Sequence, residues 1–162
     1  MAGMLRSALE QHGERVLIAH YGDLVKYICK TFFGWDGQKD ERGRHLLQYV
    51  GTDVVRAADP EFWVDFILNI LRFFGDNWDY VLIPDSRFPN EIERLRETGA
   101  QVTHLRVERP FFVSPLTPEQ QKHPSETALD ETEPDVIICN DAGLEDLERR
   151  VRQYIEENVY GE

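Results

Sequence analysis

The stretch Tyr80–Glu91, with the sequence YVLIPDSRFPNE, decides how the rest of the chain is interpreted. Its first four residues form an apolar, β-rich run that predicts a short buried strand, and Pro89 is typical of the first turn of a helix. Asp85 and Arg87 therefore follow the end of a strand. In open α/β sheets, ligands bind at the carboxyl ends of the strands, so both residues are candidate site residues. The alternative is that they only cap the next helix and pair with each other.

Four predicted strands separated by helices indicate the fold class. Short β-rich runs at 15–20, 80–83, 102–109 and 135–139 alternate with helical patterns. This alternation predicts an α/β fold, arranged as a three-layer α/β/α sandwich with a mainly parallel sheet. A length of 162 residues fits one domain, residues 1–162.

Two helices are predicted to bury particular faces. Asp59 and Pro60 are typical N-cap and first-turn residues, and the helix after them carries an apolar row at four-residue spacing. We expect this row to pack in the core: Phe62, Phe66, Ile70 and Phe74. The last helix is expected to turn its own apolar row inward: Leu144, Leu147, Val151, Tyr154 and Ile155.

Residues 110–134 differ in composition from the rest of the chain. Pro, Ser, Thr, Glu and Gln are frequent there, and no apolar period is present. A stretch of this length without regular structure in a compact domain is usually a lid or a binding loop. We therefore predict a structureless lid or binding loop at 110–134 within the single domain.

Charge and composition argue against several classes of protein. The formal net charge is −12, whereas an extended nucleic-acid interface needs a basic face. Cys29 and Cys139 lie in apolar runs without Cys or His neighbours at metal spacing, so reduced thiols are expected. The absence of an apolar run of about 20 residues and of a signal peptide predicts a cytoplasmic protein without a membrane partner. The sequence leaves open whether the protein forms a homodimer.

Polar and charged side chains follow the predicted strands. They are Tyr21, Asp23, Lys26, Asp85, Arg87, Arg109, Asn140 and Asp141. Arg56 lies in the helical insert after the first strand and could reach the same edge. Two or three arginines at one edge suit phosphate oxygens, because the planar guanidinium forms paired hydrogen bonds with them. A polar lid would exclude water during phosphoryl transfer. These residues together favour a phosphate-binding site.

Several motifs resemble those of a known family. In chain order they are YGDLVKYICKTFFGW (21–35), KDERGRHLLQYVGTDVVR (39–56), DPEFWV (59–64), DSRFPNE (85–91), HPSE (123–126) and IICNDAGLEDL (137–147). Together they resemble the bacterial and phage deoxynucleoside monophosphate kinases, P-loop proteins related to adenylate kinase, over nearly the whole chain. GTDVVR and D-x-RFPNE carry most of the specificity of this resemblance.

The resemblance implies an activity and a set of roles. Members of the family transfer a phosphoryl group from ATP to a nucleoside monophosphate with magnesium, so nucleotides, ATP and Mg²⁺ would be the ligands. Arg56 and Arg87 would hold the acceptor or transferring phosphate, and Asp85 would lie near the water shell of the metal. Arg109 would contact the phosphates of both nucleotides, and Asn140 would lie by the donor base. The acceptor pocket would be bordered by Tyr21, Asp23 and Lys26, together with Thr52 and Asp53 of GTDVVR.

The sequence departs from the family pattern in one respect. The family begins with a strand and a Walker A loop, G-x-x-x-x-G-K-[ST], whose backbone N–H groups and lysine bind the donor phosphates. No such string occurs in the 162 residues. We therefore expect a chain truncated at its N-terminus, which lacks the central first strand and is inactive as given. The alternative is a non-catalytic nucleotide-binding or regulatory relative that has lost the loop.

Overall fold

The computed structural model describes residues 1–161, in which helices and strands alternate. The helices are α1 (Ala2–Gln11), α2 (Tyr21–Phe33), α3 (Glu41–Gln48), α4 (Phe62–Phe74), α5 (Pro89–Glu97), α6 (Pro118–Gln121), α7 (Pro124–Thr127) and α8 (Leu144–Asn158). The strands are β1 (Val16–Ile18), β2 (Tyr80–Leu82), β3 (Leu105–Glu108) and β4 (Val136–Cys139). A π-helix, Tyr49–Arg56, continues α3, and a 3₁₀ helix, Gly75–Asn77, follows α4. No helix among residues 1–161 is both long enough and apolar enough to cross a bilayer.

The four strands form two parallel pairs. β1 pairs with β2, with Val16 opposite Tyr80. β3 pairs with β4, with Leu105 opposite Val136. Helices connect the strands of each pair, as parallel strands require. The predicted α/β fold with parallel strands is confirmed, although within residues 1–161 the two pairs are not hydrogen-bonded into one sheet.

Three apolar clusters hold these elements together. The first lies between α2, the π-helix and α4 and includes Cys29, Val50 and Val64. The second joins α1, β1 and α8, and the third joins β4 and α8. Because α8 contributes Ile155 to the second cluster and Val151 to the third, it links the two strand pairs.

The expectation that the four-residue row of α4 packs in the core is wrong. The residues of this row lie on the exposed side of the helix: Phe62, Phe66, Ile70 and Phe74. Trp63, Val64 and Ile67 are buried in their place. α4 is apolar on nearly all sides, so its spacing marks a row but does not select which row turns inward.

Three smaller expectations also change. Asp59 does not cap α4, which begins at Phe62, and its carboxylate accepts a hydrogen bond from Glu61 N at 3.1 Å. Leu144, the first residue of α8, is exposed, whereas the later residues of its row pack inward. The segment 110–134 is not structureless, because it contains the short helices α6 and α7.

Candidate functional site

The turn after β2 faces the N-terminus of α2 through Asp85. Asp85 Oδ1 accepts a hydrogen bond from Tyr21 N at 3.1 Å, and Oδ2 accepts one from Gly22 N at 2.9 Å. The first N–H groups of a helix lack partners within the helix, and the helix dipole favours negative charge there. Asp85 therefore caps α2 from a distant part of the chain, and it neither caps α5 nor pairs with Arg87.

The first turn of α2 is shaped by this close approach. A Cβ atom on Gly22 would lie 3.1 Å from Asp85 Oδ2 and 3.9 Å from Lys26 Cε. Glycine at this position therefore lets the carboxylate reach the backbone. Lys26 Nζ also pairs with Asp23 Oδ1 at 2.7 Å, and both side chains are partly exposed. These two predicted residues lie beside Asp85 at the start of α2.

Glu91 is the centre of a second set of contacts. It occupies the third position of α5 and is almost completely buried. One carboxylate oxygen pairs with Arg56, and the other accepts hydrogen bonds from Arg87 N at 2.6 Å and Phe88 N at 3.2 Å. Burial raises the pKa of Glu91, while the Arg87 N–H group and the Arg56 guanidinium oppose that rise. Glu91 thus joins the two motif arginines to one carboxylate.

Arg56 is held rigidly at the end of the π-helix. Besides Glu91, its guanidinium donates to Pro60 O and to Asn90 Oδ1, both at 3.1 Å. The guanidinium carbon lies 3.9 Å from the centre of the Phe88 ring. π-Helical turns are rare and frequently occur at functional sites. The partners around Arg56 leave its side chain 10% exposed.

Arg87 connects the start of α5 to the segment 110–134. Its Nη1 atom donates to Ser125 O at 2.8 Å and pairs with the carboxylate of Glu126. In contrast to Arg56, its side chain is 48% exposed. The HPSE motif, which contains Ser125 and Glu126, therefore docks on the DSRFPNE motif through Arg87.

His123 completes the contact between HPSE and the π-helix. One ring nitrogen of His123 lies 2.8 Å from Ser125 Oγ, and the other lies 3.3 Å from Asp53 Oδ1. Asp53 belongs to GTDVVR, where Thr52 precedes it and is partly buried. Three motifs that are far apart in sequence thus converge at one place.

Tyr21 lies between the Asp85 contacts and the Glu91 contacts. Its backbone N–H group donates to Asp85, and its hydroxyl donates to Glu91 O at 3.5 Å. Burial, with Glu91 and Asp85 nearby, raises the pKa of Tyr21 well above its usual range, so the hydroxyl remains protonated. We call the residues that these hydrogen bonds and ion pairs connect the Glu91 network. Its members are Tyr21, Asp53, Arg56, Asp85, Arg87, Asn90, Glu91, His123, Ser125 and Glu126.

Arg109 and Asn140 lie outside the Glu91 network. They follow β3 and β4, which form the other strand pair. Arg109 is exposed, with its guanidinium carbon 4.5 Å from the centre of the Phe112 ring. Asn140 N donates to Glu108 O at 2.7 Å, and Asp141 pairs with Arg150 at 2.8 Å. Within residues 1–161, no hydrogen bond or ion pair joins Arg109 or Asn140 to the network.

Sequence reasoning assigned no role to Glu91, Asn90 or Ser125. An acid at the third position of a helix that starts with proline is a common capping signal. That local signal could have marked Glu91 as a ligand of nearby N–H groups. Its contact with Arg56, 35 residues earlier in the chain, has no local signal.

The network offers an anion one exposed cation and one buried cation. Arg87 is reachable from solvent, and an incoming phosphate would compete with Glu126 for its Nη atoms. Arg56 is already paired with the Glu91 carboxylate, so most of its charge is neutralised within the network. Paired guanidinium donors match phosphate oxygens in geometry and charge.

Comparison with known proteins places these motifs in a family context. The family described as deoxynucleotide monophosphate kinase has a sequence model that matches residues 22–151. The chain is 35% identical over 114 residues to the deoxynucleotide monophosphate kinase of Escherichia phage RB69, covering 69% of this chain and 44% of that relative. It is 33% identical over 111 residues to the enzyme of that name from Enterobacteria phage T4, covering 67% and 43%. Uncharacterized protein ORF77 of Ictalurid herpesvirus 1 is 36% identical over 144 residues, covering 88% and 59%. The matched region spans less than half the length of the two phage relatives.

Proposed function

The chain belongs to the deoxynucleotide monophosphate kinase family, and we propose that its Glu91 network binds the acceptor phosphate of a deoxynucleoside monophosphate. The reaction served would be phosphoryl transfer from ATP to that phosphate. The convergence of GTDVVR, DSRFPNE and HPSE on Glu91 and Arg87 carries the proposal. Charged groups from distant parts of a chain that meet around a buried carboxyl with a raised pKa mark a candidate functional site.

In the proposed complex, Arg87 changes partner. Its guanidinium leaves the Glu126 carboxylate and binds the phosphate, while Glu91 keeps the Arg87 backbone and the Arg56 side chain in place. Phosphoryl transfer depends mainly on positioning and on charge stabilisation. A fixed arginine and an exchangeable arginine would supply both. The segment 110–134 would shield the phosphate from water by docking through His123 and Ser125.

The donor side of the proposed reaction involves further residues. We propose that Arg109 contacts the phosphates of both nucleotides and that Asn140 lies by the donor base. Tyr21, Asp23, Lys26, Thr52 and Asp53 would border the acceptor pocket. Tyr21 follows β1, whereas Arg109 and Asn140 follow β3 and β4. The acceptor nucleotide would therefore approach the β1–β2 pair, and the donor nucleotide would approach the β3–β4 pair.

The Asp85 carboxylate is compatible with outer-sphere binding of Mg²⁺, through a water molecule of the ion. Mg²⁺ usually keeps several waters and is bound by one or two carboxylates together with substrate phosphates. Each Asp85 oxygen accepts one backbone N–H bond, and a carboxylate oxygen has room for a second donor such as a metal-bound water. When bound with ATP, the ion neutralises phosphate charge. Asp85 would orient that water while it also caps α2.

A calorimetric titration of this chain with each deoxynucleoside monophosphate tests the proposal. We expect at least one of them to bind, and Arg87→Ala to weaken that binding about ten- to a hundredfold, the cost of losing a charged hydrogen bond. The matched control is Arg96→Ala, which removes a comparably exposed arginine that pairs with Asp135 at 2.6 Å. Absence of binding to the folded chain, or equal effects of the two variants, would contradict the proposal.

A non-catalytic nucleotide-binding module is the second candidate. It is favoured by the separation of Arg109 and Asn140 from the Glu91 network, because a nucleotide-binding module needs no donor-side contacts there. Titration with ATP distinguishes the kinase from the non-catalytic module. Binding of a deoxynucleoside monophosphate without ATP is expected of an acceptor site alone, and binding of ATP would indicate that these residues also hold a donor.

A further inference from the structure

The turn that follows β3 exposes three consecutive apolar residues. Phe111, Phe112 and Val113 are 84, 54 and 87% exposed. Runs of about three or more exposed apolar residues are uncommon on a protein surface unless they have a function. Within residues 1–161, the Phe111 ring is largely uncovered, so it is available to a ligand.

This turn is closed by a backbone hydrogen bond. Phe112 N donates to Arg109 O at 3.0 Å, and Pro110 occupies the second position of the resulting β-turn. Proline fixes its own φ angle, so Phe111 is held in one place at the tip of the turn. A group that is already in place loses less conformational freedom when a ligand binds. The turn therefore presents the Phe111 ring in a fixed position.

The same turn orients the side chain of Arg109. The guanidinium carbon of Arg109 lies 4.5 Å from the centre of the Phe112 ring, at the distance of a cation–π contact. Asp141, which follows β4, pairs with Arg150, and no carboxylate within residues 1–161 pairs with Arg109. Phe112 thus holds a cation whose charge is not neutralised by an ion pair.

Asn140 lies next to this turn. The parallel register sets Glu108 opposite Cys139, and Asn140 N donates to Glu108 O at 2.7 Å. Arg109 and Asn140 are therefore neighbours at the carboxyl end of the β3–β4 pair, where ligands bind in open α/β sheets. Within residues 1–161, the side-chain amide of Asn140 forms no hydrogen bond, and an amide can both donate and accept.

The three groups at this strand end match three parts of a nucleotide. A guanidinium suits phosphate oxygens, an amide suits the edge of a base, and an aromatic ring suits the face of a base. We propose that Phe111 stacks on the base of the nucleotide whose phosphates Arg109 contacts, and that Phe112 is a positioning residue that holds Arg109 toward those phosphates. This inference rests on the proposed function, which assigns the donor nucleotide to the β3–β4 pair, and it adds the residue that recognises the base.

Ligand-observed NMR titrations with two probes test this assignment. The probes are ATP and inorganic tripolyphosphate, each with magnesium, and only ATP has a base. Phe111→Ala should weaken ATP binding about tenfold, within the range of base–aromatic stacking, and should leave tripolyphosphate binding unchanged. Phe112→Leu should weaken both probes about two- to fivefold, because it acts through the cation–π contact with Arg109. The matched control Val113→Ala changes an equally exposed apolar residue and should affect neither probe.

Two further variants separate stacking from general apolar contact. Phe111→Trp keeps a flat ring and should retain ATP binding, whereas Phe111→Leu keeps apolar area without a ring and should bind ATP as weakly as Phe111→Ala. Each of three results would overturn the proposal: an unaltered chain that does not bind ATP, a Phe111→Ala chain that loses affinity for both probes equally, or a Phe111→Leu chain that binds ATP as tightly as the unaltered chain.

The acceptor site serves as an internal reference. Binding of a deoxynucleoside monophosphate should be the same in the unaltered, Phe111→Ala and Val113→Ala chains, because the Glu91 network contains neither residue. A chain that binds this nucleotide but not ATP would overturn the stacking proposal and leave the proposed acceptor site standing. A loss of monophosphate affinity in Phe111→Ala alone would also overturn it, because Phe111 would then act at the acceptor site.

Discussion

The two motif arginines of the Glu91 network differ in how they are held. Arg56 is buried and has Glu91, Asn90, Pro60 and the Phe88 ring around it. Arg87 is about half exposed, and its side chain is held by the segment 110–134 through Ser125 and Glu126. The first arginine is positioned by the fold, and the second is positioned by a segment that a ligand could displace.

This difference separates stability from binding. A buried ion pair is costly to break, because the remaining charge is left without a partner in a region of low dielectric. An exposed ion pair contributes little to stability and can exchange its partner. We therefore expect changes around Arg56 to affect folding and changes around Arg87 to affect ligand affinity.

The largest expected effect follows substitution of Glu91. Glu91→Ala leaves the Arg56 guanidinium buried without its carboxylate and removes the acceptor for Arg87 N and Phe88 N. Breaking a buried pair costs about 3 to 5 kcal/mol of unfolding free energy, a large part of a typical total of about 5 to 15 kcal/mol. Chemical denaturation measures the loss.

A double variant sharpens this test. Arg56→Met with Glu91→Ala removes both charges, so the unpaired guanidinium no longer contributes to the cost. We expect the double variant to have a higher free energy of unfolding than Glu91→Ala alone. Equal or additive losses would show that Glu91 acts only through the backbone N–H groups of Arg87 and Phe88.

The next effect concerns the exchangeable arginine. Glu126→Gln removes the charge that competes with phosphate for Arg87, so acceptor affinity should rise about two- to fivefold, the range of an exposed ion pair. Stability should change little. Titration with the deoxynucleoside monophosphate that binds the unaltered chain measures the gain. The control is Glu119→Gln in α6, which is exposed and lies in the same segment; a similar gain in the control would rule out competition at Arg87.

A smaller effect is expected at the His123–Asp53 contact. Asp53→Ala removes the acceptor 3.3 Å from His123, which ties the segment 110–134 to the π-helix. The stability change should be below about 1 kcal/mol, because the contact is exposed. Limited proteolysis should nevertheless cut residues 110–134 a few times faster. The control is Asp76→Ala, which removes an exposed acid in the turn before β2. Equal cleavage of the two variants would show that Asp53 does not hold residues 110–134 in place.

The sequence predicted some of these features and missed others for physical reasons. Strand and helix order followed from local periodicity, and the resemblance pointed to Arg56 and Arg87. The inward face of α4 was mispredicted, because a helix that is apolar on several sides carries more than one row. The role of Glu91 depends on Arg56, which meets it only in the folded chain. Asp85 was recognised as a strand-end acid, but its partner, the start of α2, lies 63 or 64 residues earlier.

An exposed pair outside the network provides the smallest effect and a reference for the comparison. Asp79 accepts bonds from Arg15 N at 2.9 Å, Arg15 Nε at 3.0 Å and Arg15 Nη2 at 2.7 Å. These bonds lower the pKa of Asp79 to about 2. A carboxyl whose pKa is depressed in the folded state contributes stability above its unfolded pKa, about 3.9, and loses it as the pH falls through the folded value.

Asp79→Asn should therefore be slightly less stable than the unaltered chain at neutral pH, and the difference should shrink between about pH 4 and pH 2. Thermal unfolding across this range measures it. The pair joins the residue before β1 to the residue before β2 at the exposed end of the strands, so acceptor binding should not change. A stability difference that persists at pH 2 would mean that Asp79 stabilises the fold through more than its charge, and a loss of nucleotide affinity would mean that the strand ends and the Glu91 network are coupled. In that case, β2 would transmit the effect of the Arg15–Asp79 pair at its start to Arg87, which follows its end.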